Sequence, residues 1–198
     1  MNLLIDVIPK SVNIEGEDYE INSDFRTSIL FELLMQDNTI REEEKIFMAL
    51  ELYYPVIPKN IKEAIEQMLW FYRCGKEVTS SKGSSKGSRV TQIYSFDYDD
   101  DYIYSAYLDQ YGIDLQDIEY LHWWKFKAMF KALKEGNELV KIMGYRSMDL
   151  SKIKDKDQKA YYNKMKKLYE IPVAKDEREK LSDIEEALLN GKDIDGLL

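Results

Sequence analysis

The chain has almost none of the side chains that hold metals or bridge loops covalently: one cysteine, Cys74, and one histidine, His122, in 198 residues. A lone cysteine excludes an intramolecular disulfide and any cysteine-only metal cluster. With a single histidine there are also too few soft ligands for a structural zinc site. One cysteine fits a reducing compartment. No stretch approaches the roughly 20 apolar residues that a membrane-spanning helix needs. The opening MNLLIDVIPK has a short apolar run broken by Asp6 and no basic residue ahead of it, so it does not read as a secretory signal. The expectation is a cytoplasmic protein with no membrane association. Also missing are a nucleophile elbow, a G-x-x-x-x-G-K-[ST] phosphate loop and an H-E-x-x-H pair. Basic residues are outnumbered 28 to 37, for a formal charge of −9. That sign is wrong for a dedicated nucleic-acid binder.

What is present is apolar and aromatic: 44% of residues are apolar and 13% aromatic, enough to build a core. SVNIEGEDYEINS (11–23) alternates Val12, Ile14, Tyr19 and Ile21 with polar residues around Gly16, which predicts a β-hairpin. LLIDVI (3–8) is a candidate third strand. The period then becomes helical. Residues 24–36 place Phe25, Ile29 and Leu33 on one face, with Ser23 or Asp24 as N-cap. Residues 41–54 follow, with acids in the first turn and Ile46, Leu50 and Tyr53 along one stripe, ended by PVIP. A third helix over 59–75 is capped by Asn60, striped by Ile61, Ile65, Met68 and Leu69, and closed by Gly75.

Residues 76–92, KEVTSSKGSSKGSRVTQ, are serine, glycine and lysine with little to bury, a composition that predicts a flexible linker. The expected organisation is a β-hairpin plus three-helix half over 1–75, a linker over 76–93, and a second helical half over 94–198. That second half should hold helices over about 97–111, ended by Gly112, over 115–135, ended by Gly136, and over 155–170. ELVKIM (138–143) is too short to assign. A last short helix over 180–191 carries Ser182 and Glu185 as a capping box and stops at Gly191. The fold class is mainly α (α+β): a small N-terminal hairpin and two helical halves.

YSFDYDDDYIYSAYLDQYG (94–112) holds six tyrosines, five aspartates and no basic residue. Asp97, Asp99 and Asp101 resemble the start of a calcium loop. The sixth and twelfth positions, where that loop needs glycine and glutamate, hold Tyr102 and Leu108. Aspartates at a helix start are accounted for by the helix dipole. Paired carboxylates for acid/base work need two different environments, and Asp97, Asp99, Asp100 and Asp101 lie in one turn. No catalytic residue, metal ligand or cofactor is therefore nominated, and an enzyme is not expected.

Tyr102, Ile103, Ala106 and Tyr107 form one patch at helical spacing, and Tyr104, Leu108 and Tyr111 a second. Tyrosine suits a partly wet face, because its ring packs while its hydroxyl stays hydrogen-bonded. In the next segment apolar residues, Trp123 and Trp124 among them, fill more than half of a helical wheel, with Lys127, Lys131 and Lys134 opposite. Lys125 falls within the apolar arc and should seek a carboxylate among Asp97–Asp109. Candidate partner-binding residues are Tyr98, Tyr102, Tyr107, Tyr111, Trp123, Lys127, Lys131 and Lys134. Charge is sorted as well. Residues 97–121 carry eight acids and no Lys or Arg, whereas 125–167 carry thirteen basic residues and five acids. Opposite blocks favour antiparallel docking within a chain or head-to-tail docking between copies.

SFDYDDDYIYSAYLDQYGIDLQDIEYLHWWKFKAMFKAL, then KIMGYRSMDLSKI, resembles the phage family called gene product fifteen, found in phages and prophages of Gram-positive bacteria. INSDFRTSILFELLM and the Y-P-x-x-P at 54–58 resemble that family's first half. The resemblance implies a gene in the tail module of a long-tailed phage. It further implies a tail assembly chaperone acting in the host bacterial cytoplasm, with the tape-measure protein and the major tail protein as partners. A sister tail chaperone and a homo-oligomer are further expected partners. The alternative is a structural tail or head–tail protein retained in the virion.

Overall fold

The computed structural model describes residues 2–76 and 92–172. Most of the expected linker, and the expected helix over 180–191, lie outside the described residues. Among the described residues the chain folds into one two-stranded hairpin and seven α-helices, the mainly α architecture with an N-terminal hairpin that the periodicity predicts.

Strands β1 (Ser11–Ile14) and β2 (Glu17–Glu20) pair antiparallel, with Ser11 opposite Glu20 and Ile14 opposite Glu17. Glu15 and Gly16 both take positive φ, 52° and 86°. Such a two-residue turn matches the right-handed twist of a hairpin. Val12 and Ile14 point into the core. The third strand does not form. Residues 2–6 fold into a local turn in which the Asn2 side chain takes the Leu4 N–H and the Asn2 carbonyl takes that of Asp6. Pro9, just before β1, has no N–H to donate to a ladder. Leu4, Ile5 and Val7 are left exposed.

Asp24 caps helix α1 (Phe25–Gln36) by accepting the Arg26 N–H. The buried face is Phe25, Ser28, Phe31 and Leu34, so Ile29 and Leu33 flank it instead of leading it. Ser28 faces inward because its hydroxyl lies 2.8 Å from that of Tyr53 in the core. Helix α2 (Glu42–Tyr53) buries Leu50 and Tyr53 as expected but exposes Ile46. Lys45 takes the inward position instead, its ammonium donating to the Met35 carbonyl and to Glu42. Asn60 caps helix α3 (Ile61–Tyr72). The chain leaves α3 through Cys74 and Gly75, both at positive φ.

Helix α4 (Asp100–Tyr111) begins later than expected, because Ser95 Oγ accepts the N–H groups of Asp97 and Tyr98 and holds that stretch in a turn. The long helix expected over 115–135 is reduced to α5 (Trp123–Lys131). Ahead of it the Asp114 carboxylate takes the Gln116 and Asp117 N–H groups, a local turn that competes with helix. Residues 121–123 then run beside the entry to α1: Phe25 N donates to Leu121 O at 2.9 Å and Trp123 N to Ser23 O at 2.8 Å. The shorter helix turns Lys125 to solvent. The carboxylate partner expected for Lys125 is absent among the described residues, since an exposed ammonium needs none.

ELVKIM belongs to helix α6 (Glu138–Ser147), and a 3₁₀ turn (Leu150–Lys152) leads into helix α7 (Lys156–Leu168). Buried side chains from both sides of 77–91 make one cluster, including Val12, Phe31, Leu50 and Phe71 with Phe96, Ile103, Phe126 and Leu139. Its centre is an aromatic stack. The Phe126 ring lies 4.9 Å from that of Phe25 and 4.8 Å from that of Tyr107, near-parallel to both.

Candidate partner-binding surface

The first turn of α4 is anchored from below by charge. Asp99 accepts from Arg146 of α6 at both oxygens, 2.5 Å to Nη1 and 2.9 Å to Nη2, with both side chains buried. Arg146 also donates from Nε to Tyr169 O and from Nη1 to Ile93 O. Asp99 takes the Ser95 N–H in addition. One guanidinium thus ties together α4, α6, the segment before α4 and the end of α7. Its fixed planar fork suits that task. Over the pair opens a cleft of about 970 Å³, lined by Leu33, Tyr98, Arg146 and Ile171 among others. Helix α7 contributes Lys166 and Lys167 to it, while the α1–α2 connection and the turn before α4 contribute Asp37 and Asp97. The cleft offers apolar contact flanked by charges of both signs.

A second, smaller hollow of about 290 Å³ lies where α3 ends beside α5, walled by Tyr72, Arg73, Cys74, Lys76, Lys127 and Lys131. Lys127 donates to the Tyr94 hydroxyl at 3.2 Å and sits 5.0 Å from the Trp123 ring. Burial pulls its ammonium below the usual lysine range. Burial also pushes the Cys74 thiol up, against the pull of the neighbouring lysines, and a raised thiol is a poor nucleophile.

The fold divides the eight candidate residues. Tyr98 and Tyr102 are exposed, at 49% and 36%, on the turn and first turn of α4. Tyr111 is half-buried with its hydroxyl on Met129 O. Tyr107 and Trp123 are fully buried, which makes them core residues and not contact residues. Tyr107 donates to Phe126 O and Trp123 Nε1 to Tyr72 O, so each also joins two elements. Lys127 is half-buried, and Lys131 and Lys134 are exposed. The aspartates do not converge. Asp99 turns inward to Arg146, while Asp97 and Asp101 face solvent. Among the described residues no three His, Cys, Asp or Glu side chains are grouped to hold a metal ion, and no helix is long and apolar enough to cross a membrane.

Sequence reasoning missed Asp99 and Arg146, although both leave a trace. Asp99 is in helical phase with Ile103 and Ala106, and Arg146 with Leu139 and Ile142, all buried. One charge on each of two apolar stripes is the signal of a buried pair. The residues contributed by α7 left no such trace, because a lysine-rich helix reads as solvated.

No curated protein and no solved structure matches the chain. Residues 4–171 match the family described as Bacteriophage Gp15 protein, a span that takes in every element from the hairpin to α7. With most of its length inside that match, the chain belongs to the Bacteriophage Gp15 protein family.

Proposed function

We propose that this phage protein is a tail assembly chaperone: a non-enzymatic protein that binds the tape-measure protein and tail-tube subunits in the host cytoplasm during tail morphogenesis. The observation that carries the reading is the family match over 4–171. Two features of the surface support it. The cleft over Arg146, about 970 Å³, offers apolar contact and charges of both signs. Large apolar side chains also stand exposed elsewhere, among them Leu4, Ile5, Val7, Phe47 and Val56. Exposed apolar side chains that gather into a patch mark protein–protein contact sites. Family membership also supports the alternative, a structural tail or head–tail protein that stays in the particle.

Coexpression with the tape-measure protein of the same phage tests the proposal. The expected result is a soluble complex that copurifies, weakened when Leu33→Asp is introduced into the cleft of a chain that still folds by circular dichroism. A tape-measure protein that stays insoluble, with nothing copurifying even when a sister chaperone is supplied, overturns it.

A further inference from the structure

We propose that copies of this chain associate head to tail: the acidic, aromatic turn at the start of α4 enters the cation-rimmed hollow between α3 and α5 of the next copy. The inference concerns the chain alone and does not depend on the tape-measure protein being its client.

The hollow comes first. Arg73, Lys76, Lys127 and Lys131 surround it, and among the described residues no acid lines it and none of the four makes an ion pair. Three of them, Lys127, Lys131 and Lys76, bear on the Cys74 thiol at once, so their charges converge on one spot. Lys127 is half-buried and contacts a tyrosine hydroxyl and aromatic faces, with the Glu32 carboxylate acting on it from beyond ion-pair distance. An ammonium desolvated without a carboxylate in contact is unfavourable, and an incoming carboxylate that reaches it offsets the cost. The walls between the cations, Tyr72 and Cys74, are apolar enough to take a ring.

A ligand for such a hollow carries carboxylates next to an aromatic side chain, and the chain presents that combination itself. Asp97, Asp100 and Asp101 are exposed around Tyr98 and Tyr102, and none of the three acids is ion-paired among the described residues. The turn is held in shape from beneath by Ser95 and the Asp99–Arg146 pair. It therefore loses little freedom on binding. A net charge of −9 opposes both nucleic acid and indiscriminate self-association, so contact between copies requires local complementarity of this kind. In a pair joined by one head-to-tail contact, one copy keeps a free turn and the other a free hollow. Such heterologous contacts give rings or open chains, not closed two-fold dimers.

The test is sedimentation velocity on the full-length chain over a wide concentration range. The wild type should grow in mass with concentration. Tyr98→Ala, which breaks the turn, and Lys131→Glu, which breaks the hollow, each change an exposed side chain. Each should weaken association about tenfold or more. Mixed in equal amounts the two variants should form a dimer and nothing larger, because one intact turn and one intact hollow remain between them. A wild type that stays monomeric throughout overturns the proposal, and so do variants that assemble like the wild type. Capture of some other acidic protein by the hollow without self-association overturns it as well. Either negative result leaves the tape-measure experiment standing.

Discussion

Arg146 grips both carboxylate oxygens of Asp99, a residue 47 positions earlier, in a pair that solvent barely reaches. Two charges removed from water this way are tolerated because their hydrogen bonds are nearly all made. Removing one partner strands the other. Asp99→Ala or Arg146→Met should each cost about 3–5 kcal/mol in urea denaturation. The double variant Asp99→Asn with Arg146→Met should recover much of that loss, since no isolated charge is left.

His122 gives the protein a pH dependence of known sign. Its Nδ1 accepts the Trp124 N–H, so the neutral ring carries its proton on Nε2 and donates it to Pro9 O. Burial lowers its pKa below 6.5. The unfolded chain then binds a proton before the folded one does. Stability is fully present above pH 6.5 and falls as pH drops below it, toward the folded pKa. His122→Asn, which can still cap α5, should flatten that slope in thermal melts run between neutral and mildly acidic pH. The carboxylates held low by local hydrogen bonds, Asp37, Asp114 and Asp149, titrate below 3.8 and leave this window clear.

Two glycines at left-handed φ separate backbone strain from packing. A Cβ on Gly112, at φ 65°, meets nothing within 4 Å. On Gly75, at φ 68°, it would lie 2.9 Å from the Trp124 ring and 3.3 Å from that of Trp70. Gly112→Ala should cost about 1–2 kcal/mol from conformation alone. Gly75→Ala should cost about 2–4 kcal/mol, because two packed indoles must also move. Chemical denaturation of the pair measures the difference.

Lys125 of α5 and Lys45 of α2 should behave oppositely. Lys125 is exposed, and Lys125→Met should change stability by no more than about 0.5 kcal/mol. Lys45 is 3% exposed, with its stem packed in the core. Lys45→Ala should cost about 2–4 kcal/mol, and Lys45→Met, which keeps the stem, less than about 1.5 kcal/mol. Equal losses at the two positions would contradict the burial difference.

Periodicity located the hairpin and most of the helices, because their apolar spacing and caps are local features. Asn60, Gly112 and Asp155 mark boundaries that hold in the fold. The errors arose where a long-range partner overrode the local pattern. The stretch before Trp123 has helical spacing, yet it runs beside residues 23–25 and leaves His122 as the cap of α5. Ser28 and Lys45 face inward for partners on other elements, which no window around them contains. Of the candidate surface, the exposed tyrosines and lysines were legible as residue types. Which of them the core absorbs, as it does Tyr107 and Trp123, depends on how α4 crosses α5. The cleft over Arg146 is assembled from segments far apart in the chain, and no local pattern announces it.

The measurement that bears most directly on the proposed chaperone is the amount of this protein in purified phage particles compared with infected cells, by quantitative mass spectrometry. An assembly chaperone is present in the cells while tails are being built and absent from the finished particle. A fixed number of copies in every particle would contradict the account and identify a structural tail or head–tail component.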